Sequence, residues 1–255
     1  MNKFFCRNSD IEADKIIISV KEDVHHIKNV LRLKAGKKIE VSDESGNSYI
    51  CEISRIDDNI HLVIKNITPS VGRNQEIELT VAVAIPKKAK IDDIIDKLVQ
   101  LGVSRIIPLK TERVIVKLDR QKEAGRFVRW KKIALCAAKQ CKRNDFPVIE
   151  PVASFGEVID KTADFNLKLI PHLSGDRQSL KSALNRFFSG EDMGSPGASP
   201  PRILVLIGPE GDFSENEVNL ALSAGFIPIT LGRSVLRVDT AAISAAGFIK
   251  LYAYR

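Results

Sequence analysis

The residues Gly208-Pro209-Glu210-Gly211 end an apolar, β-branched run at Ile207 and are followed by a Ser-started acidic segment. Glycine at 208 and 211 allows backbone angles that a side chain forbids. Pro209 fixes the turn between them, and Ser214-x-x-Glu217 is a capping box that predicts a helix from about Glu215. A dinucleotide site needs G-x-G-x-x-G and a phosphate loop needs G-x-x-x-x-G-K-[ST]. Neither spacing is present, and Glu210 with Asp212 would repel a phosphate. The loop therefore suits a cation or a neutral polar group. A second loop of this kind follows "FIPITLG", whose strand ends at Gly232; a closing Ala-rich helix, capped by Asp239 or Thr240, comes after it. Two glycine loops after parallel strands open on the same carboxyl edge of a sheet, where α/β proteins hold small ligands. A ligand with a positive charge and an adenine would fit, and S-adenosylmethionine is one. Two tight turns with helix caps explain the glycines equally well.

The elements that must position these loops read as two domains. Residues 1–70 alternate with period two: "KKIEVSD", "SYICEISRI" and "IHLVIKNI" put Ile39 and Val41, Ile50 or Cys51 with Ile53, and Leu62 with Ile64 on buried faces. This predicts a small β-barrel or sheet. "HHIKNVLRLKAGKK" before it reads as a short helix with Ile27, Val30 and Leu31 inward, ending near Gly36. It carries Lys28, Arg32, Lys34, Lys37 and Lys38 without an acid, either a phosphate contact or a solvated face. From residue 76 to 255 strands alternate with helices, which predicts a parallel sheet covered on both faces. "EIELTVAVAI", "RIIPLK", "FNLKLIPH" and Ile203–Ile207 are strands; helices cover 90–103, about 121–142 and about 180–187. The stretch "SGEDMGSPGASPP" from Ser189 reads as a mobile surface loop.

Composition narrows the function classes. The chain has 255 residues, 44% hydrophobic and 28% charged, and no apolar run approaches the roughly 20 residues of a membrane span. The N-terminus lacks a signal-peptide core, so a cytoplasmic protein away from membranes is expected. Cys6, Cys51, Cys136 and Cys141 have no zinc-site spacing and read as reduced thiols, the last two half-buried on one helix. His25, His26 and His61 lack acidic or Cys companions at metal spacing, so no metal is expected. The formal charge of +7 is uneven: residues 1–70 balance to zero, 71–145 carry an excess of nine cations, and 146–255 a deficit of two. Arg113, and Lys139, Gln140 and Arg143 along the helix bearing Trp130, lie in the basic segment and suit a phosphate backbone. With the N-terminal cluster they would form a two-domain RNA clamp.

"LIGPEGDFSENEV" followed by "LGRSVLRVDTAAISA" resembles the C-terminal signature of the SPOUT methyltransferases, in particular the bacterial family that methylates N3 of a uridine in the decoding region of 16S ribosomal RNA. "HHIKNVLRLKAGKKIEVSDESGN" resembles that family's PUA-like barrel, and "LGVSRIIPLKTERVIVK" and "WKKIALCAAKQCKRNDFP" its central signatures. The resemblance implies a SPOUT α/β domain with a C-terminal trefoil knot, a known exception to unknotted topology, preceded by a small PUA-like β-barrel. It implies S-adenosylmethionine as cofactor, bound bent within the knot. Gly208, Pro209, Glu210 and Gly211 would form one knot loop, and Leu231, Gly232, Val235 and Leu236 another. The strand end Ile170, Pro171 and His172 would be the third wall, with Thr240 also at the cofactor. A homodimer acting on 16S RNA in the small ribosomal subunit is implied. Methylation of uracil N3 requires loss of a proton and in-line attack. Arg237 would stabilise the uracil oxygens or pair with Asp239 to brace the knot, and Glu210 or Asp239 would accept the proton or face the sulfonium. The chain departs from the family at Gln100 and Ser234, and has Asp239 where Glu is usual. Other readings are a SPOUT enzyme for a different RNA and a non-catalytic ribosome-assembly factor.

Overall fold

The computed structural model describes residues 2–69, 77–86, 91–113, 120–143, 145–173, 175–190 and 200–254. Packing divides the chain into Met1–Asn74 with Ala138–Phe146, and Gln75–Ala137 with Pro147–Arg255. Most of the loop expected after Ser189, residues 191–199, lies outside the described residues.

The first unit is a six-stranded sheet in the order Lys3–Phe5, Lys38–Ser42, Ser48–Ile56, Ile60–Thr68, Lys15–Ile18, Ile11–Glu12. All pairs are antiparallel except the first. Ile39, Val41, Cys51, Ile53 and Leu62 are buried on one face, as the alternation requires. Ile50 pairs with Asn66 and Cys51 with Ile64, so pairing skips Lys65; Ile64 is then only half-buried. The expected helix starts earlier and ends sooner. It runs Lys21–His25 and continues as a π turn over His26–Val30, with Leu31 N–H bonding the His26 carbonyl at 2.8 Å. That wider turn rotates the register, so Ile27 is buried while Val30 is 58% exposed, contrary to the inward placement expected of it. Burial pushes the Cys6 and Cys51 thiols up to about 12, with Asp10 and Asp43 adding to it at Cys6.

The second unit is an all-parallel sheet. Its order is Ala153–Ser154, Arg105–Lys110, Glu78–Ala84, Arg202–Ile207, Leu167–Pro171, Ile227–Thr230, Gln178–Ser179, with Val148–Ile149 also on Arg105–Lys110. The central strands are the continuous apolar runs: Leu79 to Ala84 and Ile203 to Ile207 are buried throughout. Helix Ile91–Gln100 turns Ile91, Ile94, Ile95 and Leu98 inward and stops at Gly102, whose φ of 80° is left-handed. Helix Arg120–Gln140 buries Trp130, Ala134 and Ala137 but leaves Cys136 exposed, which corrects the half-buried placement; Cys141, just past its end, is half-buried. The closing helix Val238–Ala253 begins one residue before Asp239. Its N-cap is Arg237, without a side-chain cap, and Asp239 lies in the first turn, so neither Asp239 nor Thr240 caps it. No described helix is long and apolar enough to cross a membrane.

Candidate functional site

Three neighbouring strands, Arg202–Ile207, Leu167–Pro171 and Ile227–Thr230, end side by side, and the segments that leave them enclose a cleft of about 160 Å³. Parallel strands deliver every loop to the same edge, so the cleft follows from the topology. Gly208, Pro209 and Glu210 form one wall, Leu231, Gly232, Val235 and Leu236 a second, and Pro171 with His172 a third. These residues were expected at a cofactor site, and the fold brings them together. Ile170 is fully buried, and Gly211 and Thr240 are exposed; none of the three lines the cleft.

Local chemistry holds the first wall. A side chain at 208 would put its Cβ 3.0 Å from the Phe213 ring, which is buried and packed edge-on against Phe155 at 5.4 Å. The expected capping box is present: the Ser214 hydroxyl accepts from Glu217 N–H at 3.2 Å and Glu217 Oε2 from Ser214 N–H at 2.9 Å. The other Glu217 oxygen accepts the backbone N–H of Glu112 at 2.9 Å. Arg113, expected to reach RNA, instead donates to the Gly211 carbonyl at 2.7 Å. Its guanidinium thereby braces the loop.

Asp212 is a residue that sequence reasoning named only for its charge. It sits at φ 61°, a left-handed angle costly for a non-glycine residue, and bonds hold it there. Its oxygens accept from Phe213 N–H at 2.9 Å and Leu173 N–H at 3.1 Å, tying this loop to the end of Leu167–Pro171. Asp212 Oδ2 also lies 2.9 Å from His172 Nδ1, close but without the alignment of a hydrogen bond. Arg177 donates to the His172 carbonyl at 2.8 Å, and His172 N–H to the Ile229 carbonyl at 3.2 Å. Arg177, Asp212, Thr230, Arg233 and Ser234 line the cleft without having been assigned to it. Only Asp212 had a sequence signal, its place one residue past the second glycine.

The residues expected to do chemistry divide. Glu210 lines the cleft and is exposed, whereas Arg237 and Asp239 do not line it. Arg237 is exposed at the start of the closing helix, and its guanidinium forms no ion pair with Asp239 or any other described residue.

The expected RNA contacts divide too. Arg32, Lys34, Lys37 and Lys38 are exposed on the first unit, and Lys28 donates to the Asp57 carbonyl at 2.7 Å. Gln140 is exposed, but Lys139 pairs with the buried Asp23 at 2.5 Å. Arg143 lies past the end of the helix and grips Asp145 through two bonds of 2.5 and 3.1 Å, largely out of solvent. Lys139 and Arg143 are therefore structural ion pairs rather than free phosphate ligands. Among the described residues no group of three or more His, Cys, Asp or Glu side chains is placed to hold a metal ion.

Comparison with known proteins agrees with this architecture. A family model described as an RNA methyltransferase domain matches residues 73–250, and one described as an RNA methyltransferase PUA domain matches residues 21–65. Ribosomal RNA small subunit methyltransferase E of Bacillus subtilis is 31% identical over 229 residues, covering 89% of this chain and 87% of that protein. The crystal structure of a ribosomal RNA small subunit methyltransferase E from Neisseria gonorrhoeae bound to S-adenosyl methionine superimposes with a TM-score of 0.76 at 27% identity, over 98% of this chain and 97% of that one. A methyltransferase from Legionella pneumophila in complex with SAM gives 0.79 at 27% identity, with 98% and 97% covered.

Proposed function

We propose that this chain, which belongs to the ribosomal RNA small subunit methyltransferase E family, uses S-adenosylmethionine to methylate N3 of a uridine in 16S ribosomal RNA, in the cytoplasm and within the small ribosomal subunit. The observation that carries the reading is the cleft itself: two glycine-containing loops and a strand end at the carboxyl edge of a parallel sheet, on a fold whose relatives were crystallised with that cofactor.

The cleft's donor set fits the group. Apolar Ile229, Leu231, Leu236 and Ala241 suit an adenine ring. Glu210 and Asp212 suit the cationic amino and sulfonium groups, and Arg177 or Arg233 the carboxylate. When bound, the cofactor supplies an electrophilic methyl. The protein's own part is to exclude water, fix the reacting atoms in line, and stabilise the charge that spreads over the uracil oxygens. Arg237, at the positive end of the closing helix, is assigned to that last role.

Under this reading the loops at Gly208–Gly211 and Leu231–Leu236 belong to a trefoil knot, and the enzyme is a homodimer. Support for the dimer is apolar surface at the end of the closing helix, where Leu251 and the C-cap residue Tyr254 are each 77% exposed. The target base must be turned out of RNA structure before attack. Small subunits from a strain lacking the endogenous uridine methyltransferase, incubated with this protein and labelled cofactor, are expected to yield N3-methyluridine in 16S RNA on nucleoside mass spectrometry. Label on transfer RNA or naked ribosomal RNA alone overturns the substrate. Cofactor binding without transfer to any RNA favours the assembly factor.

A further inference from the structure

A chemical demand of this reaction has no residue yet. The uracil N3–H proton must leave before the nitrogen can use its electron pair, and at neutral pH that favours a positioned base. Asp239, the sequence candidate on the closing helix, does not line the cleft. Three described side chains that line it can accept a proton: His172, Glu210 and Asp212. Asp212 spends its two oxygens on the backbone N–H groups of Phe213 and Leu173, and Glu210 is exposed to solvent.

His172 differs from both. Its side chain is 16% exposed, its backbone is pinned on both sides, and its Nδ1 faces a carboxylate 2.9 Å away. A carboxylate this close to Nδ1 favours, by its charge, the tautomer with the proton on that nitrogen, which leaves Nε2 as the basic one, and it stabilises the imidazolium once formed. Asp212 keeps a left-handed angle that a side chain disfavours, and in that conformation its carboxylate stands beside the ring. The other charged groups lining the cleft are Glu210, Arg177 and Arg233.

We infer, resting on the function proposed above, that His172 is the base that takes the uracil N3 proton and that Asp212 is its positioning residue. The N3–H bond breaks toward Nε2 and its electron pair stays on N3. That pair forms the bond to the incoming methyl, whose bond to sulfur breaks with its electrons left on sulfur. The imidazolium then releases the proton to water.

The test uses the full chain and small subunits, with His172→Gln and Asp212→Asn beside the wild type. Expected for His172→Gln is a fall in kcat of about 10²-fold to 10⁴-fold with cofactor binding retained by calorimetry. A readout independent of turnover comes from ¹⁵N-histidine NMR. The chain has four histidines, and the signal missing in His172→Gln should report the Nδ1–H tautomer in the wild type and lose that bias in Asp212→Asn. A His172→Gln variant that keeps the wild-type kcat overturns the inference and leaves the methyltransferase reading intact. Loss of cofactor binding in that variant also overturns it, by making residue 172 a cofactor contact. Wild-type protein that binds cofactor but forms no N3-methyluridine defeats the methyltransferase reading itself.

Discussion

Glu217 carries a load that its exposed counterpart does not. Among the described residues two capping boxes use the same pair of residue types, Ser154 with Glu157 and Ser214 with Glu217. Glu157 serves only its own helix start. Glu217 is 4% exposed and serves two segments, accepting the N–H of Ser214 and the N–H of Glu112, 105 residues away in sequence. Glu217→Ala removes two hydrogen bonds to a charged acceptor, each worth about 1.5–3 kcal/mol. Glu112 is exposed and can recover water, so the net loss is about 2–4 kcal/mol. Ser214→Ala loses one cap, about 1 kcal/mol. Trp130 is the only tryptophan and is buried in the same unit, so urea unfolding followed by its fluorescence reads the right region. The expected order of destabilisation is Glu217→Ala above Ser214→Ala above Glu157→Ala, with unchanged denaturant slope. Equal midpoints for Glu217→Ala and Glu157→Ala would refute the idea that the buried carboxylate joins the 111–113 turn to the cleft wall.

Gly208→Ala places a methyl 3.0 Å from the Phe213 ring and forces that packed ring to move, at about 1–3 kcal/mol; weaker cofactor binding by calorimetry is expected together with an earlier unfolding midpoint. Glu40 gives the N-terminal unit an acid-side dependence: burial pushes its carboxyl up, but bonds from Lys3 and Ser48 outweigh this and hold it below the usual value. Its contribution is therefore complete above the ordinary carboxylate range and is lost as pH falls through the lower folded value, so Glu40→Gln should flatten the acid-side loss of amide protection in Lys38–Ser42. Replacing Arg32, Lys34, Lys37 and Lys38 by Ala should lower the slope of log affinity for RNA against log salt by about 3, read by filter binding across a salt series; Lys139→Ala should cost stability and leave that slope unchanged.

Much of the fold was legible because its signals are local. Alternation over residues 38–68 marks strands whose faces differ in burial, and the unbroken apolar runs at 78–84 and 202–207 mark strands covered on both sides. The glycine loops were placed together correctly because parallel strands leave no choice of edge. What failed locally has local causes. The π turn at His26–Val30 adds one residue to a turn and moves Val30 outward, and no composition signal marks it. Arg237 holds the N-cap although Asp239 and Thr240 are the better capping residues, because packing of Val238, Ala242 and Ala245 sets where the helix starts.

Charge was legible in sign and not in partnership. A cation in a sequence looks the same whether it faces solvent, a carboxylate or a carbonyl, and the partner is set by contacts distant along the chain. Lys139 meets Asp23 from 116 residues away, and Arg113 meets the Gly211 carbonyl from 98. Removing those side chains from the RNA-facing set relocates the electrostatic argument. The basic excess of residues 71–145 overstates what a phosphate backbone would find there, whereas the N-terminal unit, neutral in sum, keeps a local cluster at Arg32–Lys38 whose charges point to solvent. A polyanion responds to exposed, unpaired charge within about a Debye length. The local cluster is therefore the stronger candidate for RNA, and Arg113 is better understood as part of the cleft it helps to hold.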